Sequence, residues 1–208
     1  MKKLLSLALI LSVLVISCKN KKDANEATTN DTVVNDLSKD TTEIKDVVLG
    51  FYSWYNSNYE KMQQFRLAKG TRNIDEPPYQ IDWAEVDRLH QFIRSSVPQL
   101  GEEFLVNQKL FFQQSDSAFK VDLDDEIPYG FDYDWYTNSQ EDPQYLLDEL
   151  KRSSKWIINV NGNTAIADIK AIINDPYINA GKPHEVTVLK LKMNREAGKW
   201  KIAKIGEE

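Results

Sequence analysis

The chemistry-bearing residues of this chain gather in one window. Between Asp122 and Asp142 stand eight acids, Asp122, Asp124, Asp125, Glu126, Asp132, Asp134, Glu141 and Asp142, with no Lys or Arg among them. Tyr129, Phe131, Tyr133, Trp135 and Tyr136 are interleaved with them. Like charges at this density repel one another, so the segment requires solvent, a cation or a basic partner. It can be a solvated loop pinned down by its aromatics. It can be a recognition surface, in which Tyr and Trp supply rigid contacts and the acids steer a cationic partner; its binding candidates are then Asp132, Asp134, Trp135, Tyr136, Gln140 and Glu141. It can also be a calcium site on Asp122, Asp124 and Asp125, although the EF-hand spacing with Gly at its sixth position is absent.

His90 is the second candidate. Val86, Leu89, His90 and Ile93 stand at i, i+3, i+4 and i+7, which places the imidazole on the core-facing stripe of a helix. There it is either a hydrogen-bonded core residue or a general base, and a base requires a carboxylate orienting one ring nitrogen. Asp87 faces elsewhere on the helix, which leaves Asp132 or Asp134. His184, beside Pro183 in a turn, reads as surface. Two His and one Cys leave little for a transition-metal cage. No Gly-rich phosphate cradle, Gly-x-Ser-x-Gly elbow or His-x-x-x-His helix occurs, so no cofactor and no catalytic motif is expected. A formal charge of −6 argues against a nucleic-acid binder. Arg66, Lys69 and Arg72 around Gly70 form a small basic patch or a solvated helix end.

Cys18 carries the most specific chemistry. Lys2 and Lys3 precede an apolar run from Leu4 to Ile16, too short to span a hydrocarbon core of ~30 Å but suited to a secretory signal. The run ends in Val15-Ile16-Ser17-Cys18, which resembles a bacterial lipoprotein signal. That resemblance implies cleavage after Ser17, lipidation of Cys18 by diacylglycerol and a palmitate-type acyl chain, and a membrane partner through that lipid. Each buried CH₂ contributes ~0.8 kcal/mol, so two or three chains anchor durably. Loss of Lys2 and Lys3 with residues 1–17 takes the charge from −6 to −8. Lys19, where Asp would mark inner-membrane retention in enteric bacteria, favours the outer membrane. The run Lys19 to Asp23 loosely resembles the export tags of Bacteroidetes surface lipoproteins, with sidedness open. Residues 18–39 lack aromatics and any apolar period and are expected to form a disordered tether.

Residues 40–208 form the expected single domain. Asp40-Thr41-Thr42-Glu43 is a capping-box pattern, followed by Ile44, Val47, Val48, Phe51, Trp54, Tyr55 and Tyr59 on one helical face. Asp82 opens a second helix that Pro98 stops, Leu100 to Gln114 is a third, and Asp142-Pro143 opens a short one to about Arg152. Phe119, Val121 and Leu123 alternate with polar residues and leave a short strand open there. Four strands close the chain: Lys155 to Val160, Asn163 to Ile173, Glu185 to Asn194 and Lys199 to Ile205. Asn161-Gly162 and Ala197-Gly198 join them as hairpin turns. Asp168, Lys170, Lys190 and Lys192 are expected as a solvent-facing charge ladder. Helices packed on a C-terminal antiparallel meander of four strands, or five with Phe119–Leu123, make the fold class α+β.

The aromatic segment Phe51-Tyr52-Ser53-Trp54-Tyr55 and the terminal Gly198-Lys199-Trp200-Lys201-Ile202 resemble the nuclear transport factor 2-like, or cystatin-like, roll. More narrowly, Asp134-Trp135-Tyr136-Thr137-Asn138-Ser139-Gln140-Glu141 resembles a motif of an uncharacterised family of exported bacterial proteins, with Glu141 where Asp is usual. The resemblance covers roughly residues 42–205 and implies a fold but no activity. Three functions remain open. The first is a lipid-anchored envelope protein that binds a small ligand or protein partner, without catalysis, through the open end of the roll. The second is a pocket enzyme using His90 with a carboxylate for proton transfer. The third is an immunity-type inhibitor of a secreted protein.

Overall fold

The computed structural model describes residues 28–124, 126–153, 155–173, 177 and 182–206. The signal segment, Cys18 and the start of the tether lie outside them. Among the described residues no helix is long and apolar enough to cross a membrane.

Helix α1 (Thr28–Ser57) runs straight through the expected capping box, so residues 28–39 are helical where a disordered tether was expected. The physical reason is visible in the side chains. Thr41 and Thr42 do not cap; their hydroxyls donate back to the carbonyls of Leu37 (2.8 Å) and Ser38 (3.0 Å), the pattern of a helix interior. Asp40 instead leaves the helix to accept from Trp200 Nε1 (3.2 Å) and from the guanidinium of Arg195. The segment also holds no Gly or Pro to stop a helix. The buried face of α1 is Ile44, Val48, Phe51, Tyr52 and Tyr55, and Tyr59 belongs to a separate turn of helix, α2 (Tyr59–Gln63).

A short ribbon follows that periodicity does not announce. Strand β1 (Ala68–Gly70) pairs antiparallel with β2 (Tyr79–Ile81). Gly70 is required there, because a Cβ would fall 1.8 Å from the Asn73 carbonyl oxygen and 2.0 Å from that of Glu76. Asp82 then caps α3 (Trp83–Ser96) as expected, accepting from Glu85 N (3.4 Å), and buries Val86, Leu89, His90 and Ile93. The start of the next helix is displaced by the sheet. Ile202 N donates to Gln99 O (2.8 Å) and Gly101 N to Ile202 O (3.0 Å), so residues 99–101 pair beside the last strand before α4 (Glu102–Ala118) begins. The open strand at Phe119–Leu123 does not form. Val121 N and Asp122 N donate to Ala118 O (both 2.9 Å) in a turn that ends α4, and Val121 is 86% exposed. That helix-terminal turn takes the Val121 and Asp122 N–H groups, which a strand would have offered to a neighbour.

Helix α5 (Pro143–Arg152) is capped by Asp142, which accepts from Gln144 N at 2.7 Å. The meander is β3 (Lys155–Asn161), β4 (Thr164–Ile173), β5 (His184–Glu196) and β6 (Lys199–Ile205), antiparallel in that order. Asn161 pairs with Thr164, so the first loop is Gly162-Asn163 rather than Asn161-Gly162, with Gly162 at φ 59° supplying the first turn position. The second loop is Ala197-Gly198, both at positive φ. Register shifts at Ile169/Lys170 and Lys192/Met193 bend the strands, and at the second both Ile202 and Ala203 are buried. Helices α1 and α5 lie against the face carrying Ala165, Ala167, Ile169, Leu189, Leu191 and Met193. The expected charge ladder is only partial. Lys170 pairs with Asp168 (3.5 Å), but Lys192 reaches Glu103 of α4 (2.8 Å), tying helix to sheet. The architecture is therefore α+β, helices on a four-stranded antiparallel meander.

Candidate functional site

The acidic-aromatic window folds into a loop that closes over one end of the core, and its geometry follows from a few local devices. Asp134 N donates to Ser139 O (2.8 Å), while Asp134 Oδ1 accepts from Tyr136 N (2.7 Å) and Thr137 N (3.3 Å). Asp is suited to this role because its short side chain reaches its own backbone two residues on. Gly130, at φ 79°, lies so close to Phe111 that a Cβ would meet its Cζ at 2.1 Å. Phe131 stacks on Phe112 (centroids 6.1 Å apart), and Trp135 packs on Phe111 (4.4 Å). Tyr136 sits between Tyr55 (5.0 Å) and Phe104 (5.9 Å).

Beneath this loop lies a cavity of about 310 Å³. Its aromatic wall includes Tyr55, Phe65, Phe112, Phe131, Tyr133 and Trp135, and its polar lining includes Asp134, Gln108 and Arg66. Two hydrogen-bonded chains support that lining. In one, Tyr55 from α1 donates to Asp134 Oδ2 at 2.5 Å. In the other, His90 Nε2 lies 3.2 Å from Gln108 Oε1, and Gln108 Nε2 donates to the Tyr136 hydroxyl at 3.1 Å. Tyr52 completes the second by donating to the Tyr136 carbonyl at 2.9 Å.

Burial sets the protonation of these groups. It raises the Asp134 carboxyl above the ordinary carboxylate range, opposed by the Tyr55 hydroxyl and by the backbone N–H groups of Tyr136 and Thr137. The Tyr55 hydroxyl is held protonated, first by burial and then by the neighbouring Asp134 charge, so it is the donor of the pair. His90 is lowered by burial, with the Gln108 bond opposing, and is neutral at pH 7. Because Gln108 Oε1 can only accept, the Nε2 of His90 carries the proton.

The expected sites divide accordingly. Asp134, Trp135 and Tyr136 line the cavity. Asp132, Gln140 and Glu141 do not; Gln140 Nε2 donates to the Asp132 carbonyl (2.9 Å) and braces the loop, and Glu141 is exposed. His90 takes the first of its two expected places, a hydrogen-bonded core residue: its ring pairs with Gln108 of α4, and the carboxylate partner that the general-base alternative requires, Asp132 or Asp134, is not the one it meets. Gln108 was missed, although it stands four residues from both Phe104 and Phe112 on the buried stripe of α4, a polar residue where the period demands an apolar one. Asp122 and Asp124 are exposed, Asp125 lies outside the described residues, and among those described no three His, Cys, Asp or Glu side chains converge as metal ligands. The basic cluster is mostly neutralised, with Arg66 on Asp75 (2.7 Å) and Lys69 on Asp82 (2.6 Å). His184 begins β5 and its ring approaches only the Lys182 carbonyl, at 3.4 Å.

No protein-family model, curated protein or solved structure matches the chain. Its class thus rests on its own architecture, an α+β domain with an aromatic-walled cavity at one end.

Proposed function

We propose that this chain is a lipid-anchored envelope protein, held at the outer membrane through Cys18, whose domain binds a small ligand in the cavity beneath the acidic-aromatic loop. The likeness to the nuclear transport factor 2-like roll, carried by Phe51 to Tyr55 and Gly198 to Ile202, and that to an uncharacterised family of exported proteins, carried by Asp134 to Glu141, are part of the same proposal. One observation carries the binding role: the acidic-aromatic window supplies a wall of a cavity of about 310 Å³, at the lower end of the volumes that small-molecule sites occupy. Binding is favoured over proton transfer because the only imidazole near this lining is neutral and hydrogen-bonded to an amide, which neither orients nor activates a base.

Two measurements test the reading. Cells fed an alkyne-bearing palmitate label the wild-type protein and fail to label Cys18→Ala; equal labelling of both removes the anchor. A fragment library screened by NMR against the full-length protein shifts signals of Phe131, Tyr133 and Trp135, and Trp135→Ala loses those responses. Hits that leave these residues unmoved would show that the cavity is not the binding site.

A further inference from the structure

Resting on that reading, we infer that the cavity is selective for an organic cation, an alkyl- or methyl-substituted ammonium. Three features lead to this chemistry. First, the wall is built from ring systems, and an aromatic face attracts a cation through its quadrupole, most strongly where water is excluded. Tyr55, Phe112, Phe131 and Trp135 present such rings around one space. Second, Asp134 is the sole acid among the described lining residues, and every group bonded to its carboxylate is a neutral donor: the Tyr55 hydroxyl and two backbone N–H groups. Its charge is thus solvated by dipoles and left uncompensated, and a cation entering the cavity supplies the missing counter-charge. Third, the competing charge in the described lining is already paired. Arg66 is its one cationic residue; that side chain is 54% exposed and bonded to Asp75 at 2.7 Å.

The approach to the cavity favours the same sign. Asp132 lies between the lining residues Phe131 and Tyr133 and faces solvent, Glu126 is exposed nearby in sequence, and residues 122–142 hold no Lys or Arg. A loop carrying one sign of charge raises the local concentration of the opposite ion. An anionic ligand would meet Asp134 unpaired, and a neutral one would use the rings while leaving the carboxylate desolvated.

The test compares choline with 3,3-dimethylbutan-1-ol, which has the same shape with carbon in place of the charged nitrogen. Both are titrated calorimetrically and by NMR into the full-length protein in maltoside micelles, which contain no choline headgroups. Choline is expected to bind at least about tenfold tighter than the alcohol, equivalent to about 1.4 kcal/mol, with shifts at Trp135 and Tyr133. Asp134→Asn should remove most of that preference. Phe131→Leu keeps apolar volume but removes a ring face, so it should weaken choline while sparing the alcohol, and it serves if Asp134→Asn fails to fold. Equal binding of the two compounds would overturn cation selectivity and leave small-ligand binding standing. Binding of neither overturns the inference, and a fragment screen that also leaves the cavity residues unmoved brings down the small-ligand reading with it.

Discussion

Two aspartates that meet one helix at well-separated points receive opposite treatment. Asp40 projects from the first half of α1, and Asp134 is held by Tyr55 near its other end, about 20 Å away at 1.5 Å per residue. Asp40 accepts from Trp200 Nε1 and from Arg195, whose guanidinium lies over the Trp200 ring at 4.6 Å. Charge meets charge there, and helix, hairpin and indole are clasped together. Asp134 accepts only from a phenol and two amides, beside a cavity. The first end is built to stay shut. The second keeps a charge without a counter-ion, which costs stability.

The comparison can be broken by substitution. Trp200→Ala removes a fully buried ring and one donor to Asp40, and should cost about 3–5 kcal/mol in chemical denaturation. A loss below about 1 kcal/mol would mean that the clasp is ornamental. Neutralising each aspartate should then separate the ends. Asp40→Asn leaves the largely buried Arg195 without its anion and is expected to cost about 1–3 kcal/mol. Asp134→Asn retains an acceptor for the backbone N–H groups and sheds a desolvated charge, so its melting temperature at pH 7 should equal or exceed that of the wild type. Equal losses at both positions would erase the distinction.

The smallest effect is in pH dependence, where two buried groups act with opposite signs. Burial lowers His90, so the folded state binds its proton less tightly than the unfolded chain. Stability therefore falls as pH drops below the unfolded value of about 6.5 towards the lowered folded one. Burial raises Asp134, so the folded state binds that proton more tightly. Its unfavourable contribution is present at neutral pH and relaxes as pH falls through the raised folded value towards about 3.9. Melting curves between pH 7 and pH 5 should fall less steeply for His90→Gln than for the wild type; parallel curves would show that the imidazole is not withdrawn from water.

How much was legible follows from how local each feature is. The four strands, the Asp82 and Asp142 caps and the buried stripe of α3 were readable because period and cap chemistry involve neighbours within about one turn. The capping box at Asp40 misled because the same Asp-Thr-Thr-Glu pattern serves inside a helix once its acid finds partners 155 and 160 residues away. Phe119–Leu123 misled because alternation shows only willingness to pair, and the segment instead closes the turn that ends α4. In the window, Asp134, Trp135 and Tyr136 line the cavity while Asp132, Gln140 and Glu141 do not. Asp132, Gln140 and Glu141 are indistinguishable in composition from Asp134, and only packing on Tyr55 sets that one apart.

By itself, the sequence determined the α+β order of elements and the meander, since these rest on periodicity and turn chemistry along the chain. The tertiary structure alone decided which carboxylate is withdrawn from water, that His90 meets Gln108, and that the aromatic loop walls a cavity. Those outcomes depend on desolvation and on pairing between distant residues, and both are properties of a packed interior that no local pattern encodes.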